Sequence, residues 1–238
     1  MIDPKIDRRD LLAAGAALTV SLATVGSQAA QAQTPKAAGP SFAPQPQPLP
    51  FDPKGIAGLS EKLLVSHHDN NYVGAVKRLE AISAQLSALD PATAPGFQLN
   101  GLKREELMAW NSMILHELYF SGLGAPNQPD HALAAAIERD FGSDSGWRGE
   151  FAGMGKALAG GSGWVVLSWS HRDRRLMNQW AADHTMALAN ATPILVLDMY
   201  EHAYAIDYGA KAAAYVDAFM GTVNWTAANS RFGKVAVT

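Results

Sequence analysis

Two long stretches in the first half of the chain carry apolar residues at helical spacing. The first covers residues 59–89, and Ser60 stands as an N-cap just before its first apolar turn. The second covers residues 103–120 and is followed by two glycines and a proline, which stop a helix. Because only a short loop separates the two stretches, the pattern predicts an antiparallel helical hairpin over residues 59–127. The three polar residues Asp69-Asn70-Asn71 predict a kink in its first helix.

The second half of the chain mixes helical and strand-like patterns. Short runs of Val, Ile, Leu and Trp between turn-forming residues are typical of strands in a small antiparallel sheet. The predicted strands cover residues 163–170, 174–181 and 193–197. Helical patterns cover residues 131–140, 146–158, 201–208, 211–223 and 226–232. This order predicts an α+β fold, in which the helical hairpin is followed by a second domain, residues 128–238, with a three-stranded antiparallel sheet and surrounding helices.

The first 32 residues have the composition of an export signal. Arg8-Arg9 precede the uncharged stretch 11–25, and Ala30-Gln31-Ala32 offers small residues where a signal peptidase cuts. That stretch is shorter and less apolar than the roughly 20 residues of a membrane span. We therefore expect a removable signal of the twin-arginine type and a periplasmic mature protein without a membrane segment. Residues 33–58 are rich in Pro, Ala and Gln, which predicts an extended tether.

Composition limits the chemistry that the protein can perform. The 238 residues include no cysteine, so any metal must be held by histidines and carboxylates rather than by thiolates. There are 19 Lys and Arg against 22 Asp and Glu, a formal net charge of −3 without basic blocks. This balance argues against nucleic acid as a partner.

Four residues are candidates for a metal site. Asp198 and His202 are four positions apart where a predicted strand passes into a helix, so a turn there can direct both side chains to one point. His67 and His116 lie within the two arms of the hairpin. A carboxylate with imidazoles suits a first-row transition metal. Each residue alone also fits a capping pair or a partly buried histidine, but together they can close a site between the hairpin and the sheet.

Five sequence blocks stand out between about residue 49 and residue 232: LSEKLLVSHH (59–68), HELYFSGLGAPN (116–127), GSGW (161–164), TPILVLDMYEHAY (192–204) and Asn224-Trp225. In their order and spacing these blocks resemble the iron/manganese superoxide dismutase family. The fourth block, with its Thr-Pro and D-x-(Trp/Tyr)-E-H-A-Y elements, is the most diagnostic. The resemblance implies that His67, His116, Asp198 and His202 hold one Fe or Mn ion per subunit. It also implies that superoxide is the substrate, converted to dioxygen and hydrogen peroxide.

Several positions depart from the family pattern. Counting from His67, Asn71 stands where the family has a gateway His, and Ala75 where it has a Tyr of the proton relay. Tyr72 is one position past Asn71, so we expect its side chain to face elsewhere. Ala205 replaces the family Tyr that reaches the gateway His across the dimer interface. We therefore expect a substituted proton relay.

Aromatic and acidic residues of the family motifs are partly retained. Tyr119 and Trp164 match family positions next to the site, and Tyr200 stands for the aromatic residue between the last two ligands. Core packing explains all three residues as well as a site role does. Glu201 matches the Glu that bridges to the partner subunit's ligand in the family dimer, which implies a homodimer through the Glu201 region.

The family's glutamine, which bonds the solvent on the metal, arises from one of two positions. These positions hold Ser112 and, without a gap, Asp183. A one-residue shift brings His184 to the second position, and we favour His184 because an imidazole can donate a hydrogen bond. His184, His68 and Asn71 are then the three candidates for a substituted relay. The choice between iron and manganese stays open.

Two functions follow from this pattern. The first is a periplasmic superoxide dismutase with a substituted relay, in which His184, Tyr119 and Trp164 act beside the metal. The second is an exported protein on the same scaffold that holds iron or manganese and has little dismutase activity. The intact ligand set favours the enzyme, because relay groups typically contribute a factor of about 10² to 10⁴ in rate rather than the chemistry itself.

Overall fold

The structure, a computed structural model, describes residues 40–236. The predicted export signal lies outside the described residues. Among residues 40–236, no helix combines the length and the apolar character needed to cross a bilayer. The boundaries predicted for the tether and the two domains stay predictions.

The first half forms the predicted antiparallel hairpin. Its first arm comprises helix α1 (Glu61–Ser66), a π-helical turn (His67–Tyr72) and helix α2 (Val73–Ala88). The Ser60 hydroxyl caps α1 by accepting from the Leu63 amide, at 3.1 Å. The predicted kink is therefore a π-helical turn. Its second arm is helix α3 (Gly96–Ser121), which begins directly after Pro95 and seven residues before the predicted start.

The three strands form one antiparallel sheet in the order β2, β1, β3. The strands are β1 (Trp164–Ser170), β2 (Arg175–Ala181) and β3 (Ala191–Asp198). Strand β1 is buried along its whole length, because β2 and β3 flank it and helices cover it. The register pairs Trp164 at the start of β1 with Asp198 at the end of β3. One end of the sheet therefore carries a carboxylate beside an indole.

In the described part of the chain, two further α-helices precede this sheet and three follow it. They are α4 (His131–Phe141), α5 (Asp144–Ala157), α6 (Ala205–Tyr208), α7 (Ala212–Gly221) and α8 (Thr226–Ala236). The predicted helix 201–208 is instead a 3₁₀ turn (Glu201–Ala203) followed by the short α6, because the backbone leaves helical geometry at Tyr204. The α+β class and the three-stranded antiparallel sheet are confirmed.

Candidate metal centre

The four predicted metal ligands meet where the hairpin contacts the sheet. His67 begins the π-helical turn, His116 lies in α3, Asp198 ends β3, and His202 lies in the 3₁₀ turn that follows. One ligand atom of each residue lies within 4.8 Å of those of the other three. His67, His116 and Asp198 are fully buried, and His202 is partly buried.

The spacing of these atoms fits a first-row metal ion. Asp198 Oδ2 lies 3.1 Å from His67 Nε2, 3.2 Å from His202 Nε2 and 3.6 Å from His116 Nε2. The Nε2 atoms of His116 and His202 are 3.4 Å apart. Two ligands at about 2.1 Å from an ion lie roughly 3.0 to 3.6 Å apart when they subtend about 90° to 120°. These four of the six ligand-atom distances therefore have the spacing of a mononuclear site, and the residue types have its composition.

Neighbouring groups prepare the histidines and the carboxylate for ligation. His116 Nδ1 donates to the Ser112 carbonyl at 2.6 Å, which leaves the lone pair of Nε2 directed to the centre. Burial lowers the pKa of His116 to about 3 and also lowers the pKa of His67, so both rings are neutral at pH 7. Burial alone would raise the pKa of Asp198, but His202 and His67 outweigh it and hold that pKa well below its usual range.

Trp164 and His184 form the next layer beside the ligands. The Trp164 Nε1–H donates to His184 Nδ1 at 3.0 Å. The His184 ring stacks on Tyr200 with centroids 4.8 Å apart, and Tyr200 stacks on His202 at 5.3 Å. The His184 and His116 ring centroids are 6.3 Å apart. The structure thus brings His184, Trp164 and Tyr200 next to the four candidate ligands.

Comparison with known proteins identifies the family. Residues 129–231 match the family model described as iron/manganese superoxide dismutases, C-terminal domain. The chain is 64% identical over 186 residues to a Cupriavidus metallidurans protein named superoxide dismutase (Fe), covering 78% of this chain and 94% of that one. The chain belongs to the iron/manganese superoxide dismutase family.

More distant members of the family carry both metal names. A superoxide dismutase (Fe) from Aquifex pyrophilus is 32% identical over 190 residues, covering 76% of this chain and 88% of the relative. A superoxide dismutase (Mn) from Halobacterium salinarum is 33% identical over 193 residues, covering 79% of this chain and 94% of the relative. Family membership therefore does not choose between the two metals.

Four of the residues considered as departures from the family pattern line one cleft. The cleft has a volume of about 230 Å³, and its walls include Asn71, Ala75, Ser112 and His184. Asp183 and His184 are the two candidates for the second position of the family's glutamine. Of these two residues, His184 lines the cleft. Asp183 instead accepts hydrogen bonds from the Thr185 amide and hydroxyl at 2.7 and 2.6 Å. The structure thus places His184, and not Asp183, on the wall of this cleft.

Tyr72 and His68 face a different cavity. The position of Tyr72, one residue past Asn71, predicts that its side chain faces away from the site. The Tyr72 hydroxyl donates to Glu117 Oε1 at 2.9 Å, and this cavity of about 160 Å³ is also lined by His68 and Phe120. His68 is therefore not a wall of the cleft that contains His184. Of the three candidates for a substituted relay, the structure places His184 and Asn71 in that cleft.

Tyr119 lies behind the ligands, together with a tyrosine that the sequence did not single out. The Tyr119 ring is 5.1 Å from the His67 ring, and its hydroxyl is 3.2 Å from that of Tyr215. Tyr215 donates to the Asp198 carbonyl at 2.8 Å, so it supports the backbone of a candidate ligand. Burial raises the pKa of both phenols above the usual range, so both stay protonated. Tyr215 sits in the apolar helix α7, where the sequence pattern indicates only core packing.

Glu201 occupies the exposed start of the 3₁₀ turn that carries His202. Ala205, which replaces the family's interfacial Tyr, is also exposed. The exposed position leaves the Glu201 carboxylate accessible to a second subunit.

Proposed function

We infer that the protein is a superoxide dismutase. It combines two superoxide anions with two protons to give one dioxygen and one hydrogen peroxide. The observation that carries this function is the buried set of His67, His116, Asp198 and His202, with ligand atoms within 4.8 Å of one another, in a member of the iron/manganese superoxide dismutase family. The test is superoxide decay in metal-free protein and in protein reloaded with a single metal.

The charge of the metal-loaded site would also suit an anionic substrate. An iron or manganese ion held there supplies one-electron oxidation of one superoxide and one-electron reduction of the next. Histidines bind a metal ion as neutral imidazoles, so three of them and one carboxylate leave a net positive charge around a di- or trivalent ion. A buried positive centre attracts a small anion even though the whole chain has a formal charge of −3.

We propose His184 as the hydrogen-bond donor to solvent or substrate in the cleft. Because Nδ1 accepts from Trp164, neutral His184 must carry its proton on Nε2. Burial lowers the pKa of His184, which favours this neutral form at pH 7. Trp164 therefore acts as a positioning residue for His184. Tyr119 packs beside the ring of the candidate ligand His67.

We propose iron as the resident metal. The support is the degree of similarity: the relative that is 64% identical is named superoxide dismutase (Fe), whereas the relative named for manganese is 33% identical. Activity after reloading with iron, and its absence after reloading with manganese, is the expected result. The reverse result would assign the site to manganese.

The metal-holding protein remains the second candidate, because Asn71 and Ala75 replace the gateway His and Tyr of the family. On this account, the site binds stoichiometric metal but the cleft lacks an effective proton donor. The two functions differ in one measurable respect, which is whether the metal-loaded protein turns over superoxide many times per subunit.

We propose that the mature protein is periplasmic and forms a homodimer through the Glu201 region. The support for export is the Arg8-Arg9 signal with its Ala30-Gln31-Ala32 cleavage site. The support for the dimer is the exposed Glu201 at the family's bridging position. N-terminal sequencing of the protein recovered from the periplasm would locate the cleavage site.

A further inference from the structure

The Pro-rich segment Phe42–Gln47, here called the strap, is bound to the helical hairpin rather than extending away from it. The Phe42 amide donates to the Ser83 hydroxyl at 2.6 Å, and the Phe42 ring stacks on Trp110 with centroids 4.8 Å apart and planes at 6°. Pro44 is buried. The N-terminal end of the strap is thus anchored on both arms of the hairpin.

The other end of the strap is bound to the π-helical turn. The Gln47 amide donates to the Tyr72 hydroxyl at 2.7 Å, and His68 Nε2 donates to the Gln47 carbonyl at 2.8 Å. Tyr72 is 1% exposed, and its hydroxyl in turn donates to Glu117 on α3. The main chain of Gln47 is therefore bound twice to the first arm of the hairpin, and the Tyr72 hydroxyl links it to the second arm.

These contacts fall on the turn that carries a candidate metal ligand. The π-helical turn starts with His67, and the strap contacts its second residue, His68, and its last residue, Tyr72. A π-helical turn is rare and commonly occurs at a functional site. It depends on surrounding contacts, because its hydrogen-bond pattern is less favourable than that of the α-helices on either side.

The orientation of the His67 ring depends on the backbone of the π-helical turn more than the orientation of the His116 ring does. His116 is oriented by the bond from its Nδ1 to the Ser112 carbonyl. His67 Nδ1 is buried and has no hydrogen-bond partner among residues 40–236. The position of the His67 ring is therefore set by packing and by the path of the π-helical turn.

We propose that the strap positions the metal centre: the main-chain bonds of Gln47 to Tyr72 and His68 hold the π-helical turn in the path that directs His67 to the metal. The proposal rests on the metal site of the proposed function, and it makes Gln47 a positioning residue. Release of the strap should weaken metal binding by about two- to tenfold, the range that one hydrogen bond is worth. By linkage, metal binding should in turn protect the strap.

The test compares two substitutions in the full-length protein. Gln47→Pro removes the amide hydrogen that bonds Tyr72 and suits an extended Pro-rich segment. Gln45→Pro is the matched control, because the Gln45 amide makes no hydrogen bond in the described part of the chain. For each variant, the metal dissociation constant is measured by competition with a chelator, and the melting temperature is measured on the metal-free form.

The expected result is a two- to tenfold weaker metal affinity in Gln47→Pro, with Gln45→Pro equal to the unsubstituted protein. Slower hydrogen exchange at the Gln47 amide after metal loading is the expected reciprocal effect. An unchanged affinity in Gln47→Pro, with or without a lower melting temperature, would overturn the proposal, as would equal effects of the two substitutions. Metal binding without superoxide turnover in the unsubstituted protein would refute the dismutase function and leave this test intact.

Discussion

The indole nitrogen of Trp164 donates to Nδ1 of His184 over 3.0 Å and so fixes the tautomer of the histidine. Trp164 starts β1, directly beside the final residue of β3, Asp198, in the sheet register. The end of the central strand therefore holds the donor partner of His184 next to a candidate ligand. The proton on His184 Nε2 is left for the cleft, as expected for the donor that we propose.

Removal of His184 should slow turnover without removing the metal. His184→Ala eliminates the proposed donor but none of the four candidate ligands, so we expect a loss of about 10²- to 10⁴-fold in the rate constant. His184→Gln, which restores an amide donor, should recover part of it. The measurement is superoxide decay together with metal content.

The matched controls for this substitution are histidines that do not line the cleft. His131 is exposed at the start of α4, and His171 Nε2 bonds the Thr192 hydroxyl at 2.8 Å. His131→Ala and His171→Ala should leave the rate and its pH profile unchanged. Equal losses in all three alanine variants would exclude His184 from the proton relay.

Each candidate ligand should be necessary for metal binding. Asp198→Ala removes the only carboxylate of the described cluster, and His116→Ala removes an imidazole oriented by Ser112. Both variants should be purified with far less than one metal ion per subunit, whereas His131→Ala should retain the normal content. Stoichiometric metal in either ligand variant, measured by elemental analysis, is incompatible with the assignment.

The ionised Asp140 carboxylate should stabilise the fold at neutral pH and lose this effect in acid. Partial burial alone would raise the pKa of Asp140, but bonds from Arg139 and the Leu176 amide outweigh it and lower that pKa below 3.8. Because the folded pKa is lowered, the contribution is present above pH 3.8 and is lost as the pH falls through the folded pKa. Asp140→Asn should reduce the free energy of unfolding at pH 7 by about 1 kcal/mol.

Urea unfolding of the metal-free protein at pH 7 and at pH 3 measures this effect. The difference between Asp140→Asn and the unsubstituted protein should shrink at the lower pH. Asp217→Asn serves as the control, because its ion pair with Lys156 is exposed and should be worth less than about 1 kcal/mol at either pH. A destabilisation by Asp140→Asn that does not depend on pH would argue against the ionised Asp140 as its cause.

If Glu201 bridges two subunits, Glu201→Ala should raise the dissociation constant of the dimer. The exposed position of Glu201 at the start of the 3₁₀ turn means that the substitution removes no contact within the core. Sedimentation velocity over a concentration series measures the dissociation constant. A dimer of unchanged stability in the variant would place the interface elsewhere on the surface.

The sequence predicted the elements whose pattern is local. The Ser60 cap, the helical spacing along both arms and the apolar strands identified the hairpin and the antiparallel sheet correctly. The grouping of His67, His116, Asp198 and His202 could be anticipated because the family motifs fix their order and spacing.

Features that depend on tertiary contacts could not be read from the pattern. The polar run after His67 indicated a kink, but nothing in its composition distinguishes a π-helical turn, which is defined by its main-chain bonds. The role of Tyr215 depends on the distance from α7 to the end of β3. Proline content predicted an extended tether at residues 33–58, and the bonds of Gln47 to the hairpin involve residues distant in the sequence.

The most direct test of the central claim is superoxide decay after pulse radiolysis, with metal-free, iron-loaded and manganese-loaded protein of known metal content. A dismutase predicts catalytic, many-turnover decay in the iron-loaded form, little decay in the metal-free form, and loss of the effect in Asp198→Ala. Stoichiometric metal with no catalytic decay for either ion would contradict the account. That result would identify a metal-holding protein in which Asn71 and Ala75 have replaced the catalytic relay.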